Sequence, residues 1–240
     1  MLLLNLCIRK NKMERISVIL PICNRYETAI ENIKNIKNQE NQDFEIIVCD
    51  DSHKDYIASN FFMLDCVLND IRYYQVSLYD INNEKTYGIA RARNKGVVEA
   101  TGEILVFLDE RMTPKFPNFL DIFKNIAKEK AWYYGNTGEF ETLFVENCSC
   151  IRRQHLIDAG MFCEHINQWG GMTYEILHRF KSQGFKFIYV KEALAKPLRE
   201  RSENEMKGKT KSAFEIKRIL LDKISVPTPG LVCYSNFLHV

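Results

Sequence analysis

Ile104-Leu105-Val106-Phe107-Leu108 run without a polar interruption into Asp109-Glu110-Arg111. A continuous apolar run of this length reads as a strand covered on both faces, as in the parallel sheet of an α/β protein; a half-exposed strand would alternate. Such a strand delivers its last residues to the carboxyl edge of the sheet, where open α/β folds bind ligands. Carboxylates at that edge suit a divalent cation bridging phosphates, because hard cations take oxygen ligands. Here a cation, Arg111, follows the acid pair at once and changes what that edge can do.

The chain before this run repeats the same logic. Arg15 to Leu20 reads as a first strand stopped by Pro21 and the polar Asn24-Arg25, and residues 26–40 carry Ala29, Ile30, Ile33 and Ile36 at helical spacing. Phe44 to Cys49 is a second buried strand ending in Asp50-Asp51-Ser52. A helix over 56–68, a third strand over Ile71–Val76 and a helix over Gly88–Ala100 follow. Strands alternating with helices over short links predict parallel βαβ units. Parallel strands share a carboxyl end, so Asn24, Asp50 and Asp109 should meet at one edge.

The second half is less regular. Asn118–Lys130 reads as a helix, and Trp132–Tyr134 and Leu143–Val145 as strands. Gln154–Gly160 and Thr173–Gln183 read as helices, the latter after a Gln168-Trp169-Gly170-Gly171 loop and closed by Gly184. Phe185–Val190 is the last strand, and residues 199–223 are charged with helical spacing. The predicted organisation is an extension over 1–13, one α/β domain over 14–198 with halves 14–112 and 113–198, and a helical extension and tail over 199–240.

With 33 basic and 31 acidic side chains the net charge is +2, so no global field recruits nucleic acid and any anion is bound locally. The eight cysteines (7, 23, 49, 66, 148, 150, 163 and 233) lack the paired spacing of a zinc site. Several fall inside apolar strands and read as small core residues, which fits a reducing, cytoplasmic compartment. The opening Met1-Leu2-Leu3-Leu4 stretch is too short for a membrane span, and its charges follow rather than precede it, unlike a signal peptide.

Four blocks, ISVILPICNR at 16–25, EIIVCDDS at 45–52, ARARNKGVVEATGEILVFLDE at 90–110 and WGGMTYEILHRFKSQGFKFIYV at 169–190, resemble the family-2 glycosyltransferases of the GT-A fold. The resemblance implies an α/β GT-A-like domain with a mixed, mostly parallel sheet flanked by helices. It also implies inverting, hexosyl-type transfer from a nucleotide-sugar, a UDP-sugar first, to a hydroxyl of a glycan, lipid-linked sugar or peptide, as in polysaccharide biosynthesis.

Residue by residue, the resemblance implies that Pro21, Asn24 and Arg25 contact the base and ribose, and that Asp50 accepts the uracil imide proton. Arg93 and Asn94 match the family's Ala-Arg-Asn turn, and a guanidinium fork suits a diphosphate; Arg91 is a rival for that task. The family ends its fourth strand in Asp-x-Asp with Mn²⁺ or Mg²⁺ beside the diphosphate. Here Asp109 is left for the donor and for catalysis, and Asp109 with Glu110 forms the remaining metal-ligand set. Arg111 stands at the expected ligand position, where a fixed cation can neutralise the diphosphate in place of a metal. Lys196 falls where many members carry a further metal-binding His.

An inverting transferase needs a carboxylate to take the acceptor's proton. The family draws it from a Glu-Asp pair after Gly-Gly, where this chain has Met172 and Thr173. Glu175 is the nearest substitute, with Glu164 and His165 as rivals, and Glu175 also suits a structural role on its helix. Trp169, Gly170 and Gly171 are the candidate acceptor contacts. Residues 199–240 are candidates for covering the acceptor site, for a homodimer contact or for a peripheral contact with the inner membrane face. A rival reading of the whole chain is a non-catalytic relative that binds a nucleotide-sugar or a partner transferase.

Overall fold

The computed structural model describes residues 14–52, 57–78, 87–138, 143–166 and 171–200. Strand β1 (Ile16–Ile22) leads through helix α1 (Tyr26–Lys37) to β2 (Phe44–Asp50), then through α2 (Ile57–Leu68) to β3 (Arg72–Gln75). Helix α3 (Ile89–Glu99) returns the chain to β4 (Ile104–Leu108). After these come β5 (Met112–Pro114), α4 (Phe119–Ile126), β6 (Ala131–Asn136), β7 (Cys148–Arg152), α5 (Arg153–Asp158), α6 (Met172–Ser182) and β8 (Lys186–Pro197).

The described strands form one eight-stranded sheet in the order β3-β2-β1-β4-β7-β6-β8-β5. The first four are parallel, with Leu20 opposite Val48 and Val18 opposite Val106. The chain builds outward from β1 to β3 and then crosses back to β4 on the other side of β1. The gap between the carboxyl ends of β1 and β4 is therefore the switch point at which such sheets bind ligands. Beyond β4 the direction reverses: β7 runs antiparallel to it, pairing Leu108 with Cys148.

The apolar runs serve two cores at once. Val18, Leu20, Ile46, Val48, Val106 and Leu108 pack on the side of α1 and α4, with Phe119 and Phe123. Their neighbours Ile19, Ile47, Leu105 and Phe107 face the other way, toward α3 and α6. There Trp132 is fully buried, with its ring 4.9 Å from Phe180 and 5.9 Å from Phe162. Alternating side chains thus explain the absence of alternating polarity. Among the described cysteines, Cys49, Cys66, Cys148, Cys150 and Cys163 are buried, and Cys23 is exposed. Burial pushes the Cys148 thiol up to about 12, as expected of an inert core residue.

Several elements differ from expectation. β1 does not stop at Pro21 but runs through it to Ile22. Pairing with β4 ends at Ile19, so Pro21 lies beyond that ladder, where a missing N–H costs no sheet bond to β4. Leu143–Val145 is not a strand; the strand is the adjacent Cys148–Arg152, whose serine, cysteines and arginine masked its apolar character. Met112–Pro114 forms a short strand that sequence reasoning passed over. The helix expected over Asn118–Lys130 ends at Ile126, before a turn into β6.

Candidate active site

The turn after β4 is held from α1. Asn32 is fully buried on the same helix face as Ala29, Ile33 and Ile36. Its amide donates to the carbonyls of Asp109 (3.1 Å), Glu110 (3.3 Å) and Met112 (2.9 Å). A polar residue on an otherwise apolar helix face was the signal available for it. The grip fixes how Asp109 and Glu110 leave the strand.

Glu110 turns toward two arginines, with Arg25 Nε at 3.5 Å and Arg199 Nη2 at 3.9 Å. Burial, and then the Asp109 carboxylate beside it, push its pKa up to about 7 against the pull of Arg25 and Arg199. Asn24, at the entrance, has a left-handed backbone (φ 55°), and its N–H donates to Ser52 Oγ at 2.7 Å. Arg199 belongs to no motif, and its place here was not legible in the sequence.

Asp109 turns the other way. Its Oδ1 accepts from Arg93 Nη2 at 2.8 Å, and Arg93 Nη1 reaches Glu146 Oε1 at 3.3 Å. Arg93 is fully enclosed, 2% exposed, with its guanidinium over the Phe162 ring at 5.3 Å and beside Met172 Sδ at 3.1 Å. Glu146 stands in the turn before β7, where Ser149 Oγ donates to its carbonyl, and its Oε2 accepts the Thr173 hydroxyl at 2.6 Å. Tyr87 lies among the same charges: burial raises its phenol, Arg93 opposes, and Asp109, Glu146 and Asp51 add to the rise. Arg93 is thus a strut between two carboxylates.

Asp50 closes β2. It is fully buried, and its carboxylate accepts from Tyr73 Oη (2.6 Å), Tyr26 Oη (3.1 Å) and Ser52 N (2.8 Å). Those bonds tie β2 to α1 and β3. Asp51, the next residue, pairs with Arg91 at 3.2 Å. Both press against Gly88, where a methyl group would overlap the carboxylate and the guanidinium alike. Pro21 is buried within β1 instead of facing a ligand.

Asn94 is internal: its amide spans Phe162 N, Phe162 O and Glu164 Oε1 at 2.8 to 2.9 Å. Arg111 is 3% exposed, and Leu198 N donates to its carbonyl. Glu175 is 4% exposed and forks onto Arg179, four residues on, which also grips the carbonyls of Ala159 and Met161. It is a strut of α6. His165 and Lys196 are exposed. Gly171 caps α6 with a left-handed backbone (φ 82°), which explains a glycine there. Trp169 and Gly170, the extension over 1–13 and the tail beyond residue 200 lie outside the described residues.

For a resident cation the donor set does not fit. Among the described residues no three His, Cys, Asp or Glu side chains converge on one point. Asp109 is bonded to Arg93 and Glu110 to Arg25, and the third position is an arginine.

Comparisons with known proteins bear on the fold and the family. Similar solved structures include a mannosyltransferase from Pyrobaculum calidifontis, in complex with GDP-Man and Mn²⁺, at TM-score 0.58 and 14% identity over 94% of this chain and 80% of that one. Another is GalNAc-T7 with UDP, GalNAc and Mn²⁺, at TM-score 0.65 and 13% identity over 86% and 48%. At those identities the likeness is one of fold, the GT-A fold. Curated relatives are uncharacterized glycosyltransferases of Rickettsia conorii, 37% identical over 98 residues, and Rickettsia felis, 35% over 97. The matches cover 40% of this chain and 14% of each relative, so the chain spans about one seventh of their length. Among the described residues no helix is long and apolar enough to cross a membrane. The model of "Glycosyl transferase family 2" matches residues 17–147, more than half of the sequence, and the chain belongs to that family.

Proposed function

We propose that the chain transfers a hexose, with inversion, from a nucleotide-sugar to a hydroxyl of a glycan, lipid-linked sugar or peptide, with a UDP-sugar as the first candidate donor. The observation that supports this reading is the convergence at one sheet edge of Arg25 after β1, Asp51 after β2 and Asp109-Glu110 after β4. Helix α3 begins at the same edge, and a helix N-terminus favours a phosphate. In this proposal Asp51 takes the base-recognition role first given to Asp50, because Asp50 spends its oxygens inside the fold. Arg25 and Arg199, gathered on Glu110, meet the diphosphate in place of Arg111.

Two measurements test it. A donor at about 100 times its Kd stabilises by about 2.7 kcal/mol, a shift of several degrees in Tm. If no UDP-, GDP- or dTDP-sugar shifts Tm, the donor assignment is wrong. In the proposal Arg25 and Arg199 also make a resident cation dispensable, so activity should survive EDTA. Complete loss restored by Mn²⁺ would refute that part alone. The buried Glu175–Arg179 pair supports a second reading, a non-catalytic nucleotide-sugar binder, since the carboxylate nearest the family's base pair is spent. Donor hydrolysis at high protein concentration separates the two readings.

A further inference from the structure

Met172 and Thr173 cannot take a proton from an acceptor hydroxyl, and Glu175 is buried against Arg179. The structure nevertheless brings a carboxylate to Thr173. Glu146 reaches it from the turn before β7, a different element, and accepts the Thr173 hydroxyl at 2.6 Å. The antiparallel pairing of Leu108 with Cys148 explains the placement. Carried two residues past that pair, the same register sets Glu146 beside the end of β4. Arg93 then spans Asp109 and Glu146, so the two carboxylates are separated by one guanidinium and two hydrogen bonds.

We propose that Glu146 is the general base of the transfer, supplied from outside the segment where the chain lacks one; the inference rests on the glycosyl-transfer reading above. In the step, the acceptor oxygen bonds to the anomeric carbon and its proton passes to Glu146. The bond from that carbon to the diphosphate breaks, and its electron pair leaves on the nucleoside diphosphate. Glu146 suits the task on two counts. Its side chain is 16% exposed, against 5% for the side chain of Glu175. Its bonds to Arg93 and Thr173 hold its orientation, as a base must be held to act. The groups facing it include Arg93 and Tyr87 at α3, Asp109 after β4, and Thr173 on α6. Glu164, the rival acid, is engaged by Asn94.

The test uses the full chain and the nucleotide-sugar that raises its Tm most, with water as acceptor, reading released nucleoside diphosphate. Glu146→Gln leaves Arg93 its bond to Asp109 and a neutral amide beside it, so it should cost less Tm than Arg93→Met and hold donor affinity within about 3-fold, yet lower hydrolysis by about 100- to 10,000-fold, the span of a lost general base. Its residual rate should climb about tenfold per pH unit as hydroxide substitutes, while the wild type levels off. Glu146→Asp, which keeps the acid at shorter reach, should fall between. Hydrolysis by Glu146→Gln within about 3-fold of wild type overturns the proposal. So does a loss of Tm or donor affinity in both variants that parallels the loss of rate, because that is a structural role. A wild-type chain that binds and hydrolyses no donor removes the transfer reading itself, an outcome distinct from either.

Discussion

Arg93→Met isolates what the buried arginine does. Methionine fills much of the stem's volume, so the change removes charge more than packing. It strands Asp109 and Glu146, which now share one guanidinium at 2.8 and 3.3 Å. Breaking a buried pair costs about 3–5 kcal/mol. Both carboxylates retain some water, with side chains 21% and 16% exposed, which places the cost near the lower figure. For a domain of this size about 3 kcal/mol lowers Tm by roughly 6–12 °C. Urea unfolding of wild type and variant, followed by tryptophan fluorescence, measures the gap. A gap below about 1 kcal/mol refutes the view of Arg93 as the tie between two acids.

Three further perturbations probe the surroundings. Glu110 sits at about 7 against an ordinary 4.5, and each unit corresponds to about 1.4 kcal/mol. The wild type should thus lose up to about 3 kcal/mol more than Glu110→Gln as pH rises from about 4.5 to about 8; parallel stability curves would show that Glu110 does not titrate late. Asn32→Ala removes the donor shared by three carbonyls and should cost about 1–3 kcal/mol, with weaker donor binding because the turn carrying Asp109 loosens; unchanged affinity would separate that grip from the site. Gly88→Ala drives a methyl group into the Asp51–Arg91 pair, and about 1–3 kcal/mol of strain is expected. A calorimetric titration that finds undiminished donor affinity would argue against Asp51 at the donor.

The parallel half was legible because burial on both faces leaves one mark, unbroken apolar runs ending in polar residues, and Ile104–Leu108 and Phe44–Cys49 carry it. The shared carboxyl edge followed from direction alone. What was not legible is which polar residue at each strand end faces outward. Asp50 and Asp51 are adjacent, chemically alike and both buried, yet the tyrosines on α1 and β3 take up Asp50 while Arg91 meets Asp51. Arg93 and Arg111 read in sequence as cations for a diphosphate, and the acids and backbone around them come from residues far along the chain. β7 was missed because Cys148-Ser149-Cys150 reads as polar, although both cysteines are fully buried. With β7 missed, the turn before it gave no reason to notice Glu146.

The same geometry explains why residue 173 tolerates a threonine. Thr173 donates a proton to Glu146, and Met172 lies against the arginine that Glu146 also uses. Thr173→Asp, which looks like a restoration, would instead set a second carboxylate against Glu146, with Asp109 already drawing on the same guanidinium. Like charges that close cannot all ionise, and one of the acids would keep its proton to higher pH. Thr173→Asp should therefore lower stability at about pH 8 by 1 kcal/mol or more, recover at about pH 5, and leave turnover no higher than wild type. With Glu146→Gln beside it the crowding is relieved, and the new aspartate should recover at least about tenfold of the rate that Glu146→Gln loses alone, a modest share of a general-base term. A single Thr173→Asp variant that turns over faster than wild type, with stability flat across that pH range, would mean that Glu146 does not occupy the place of the base.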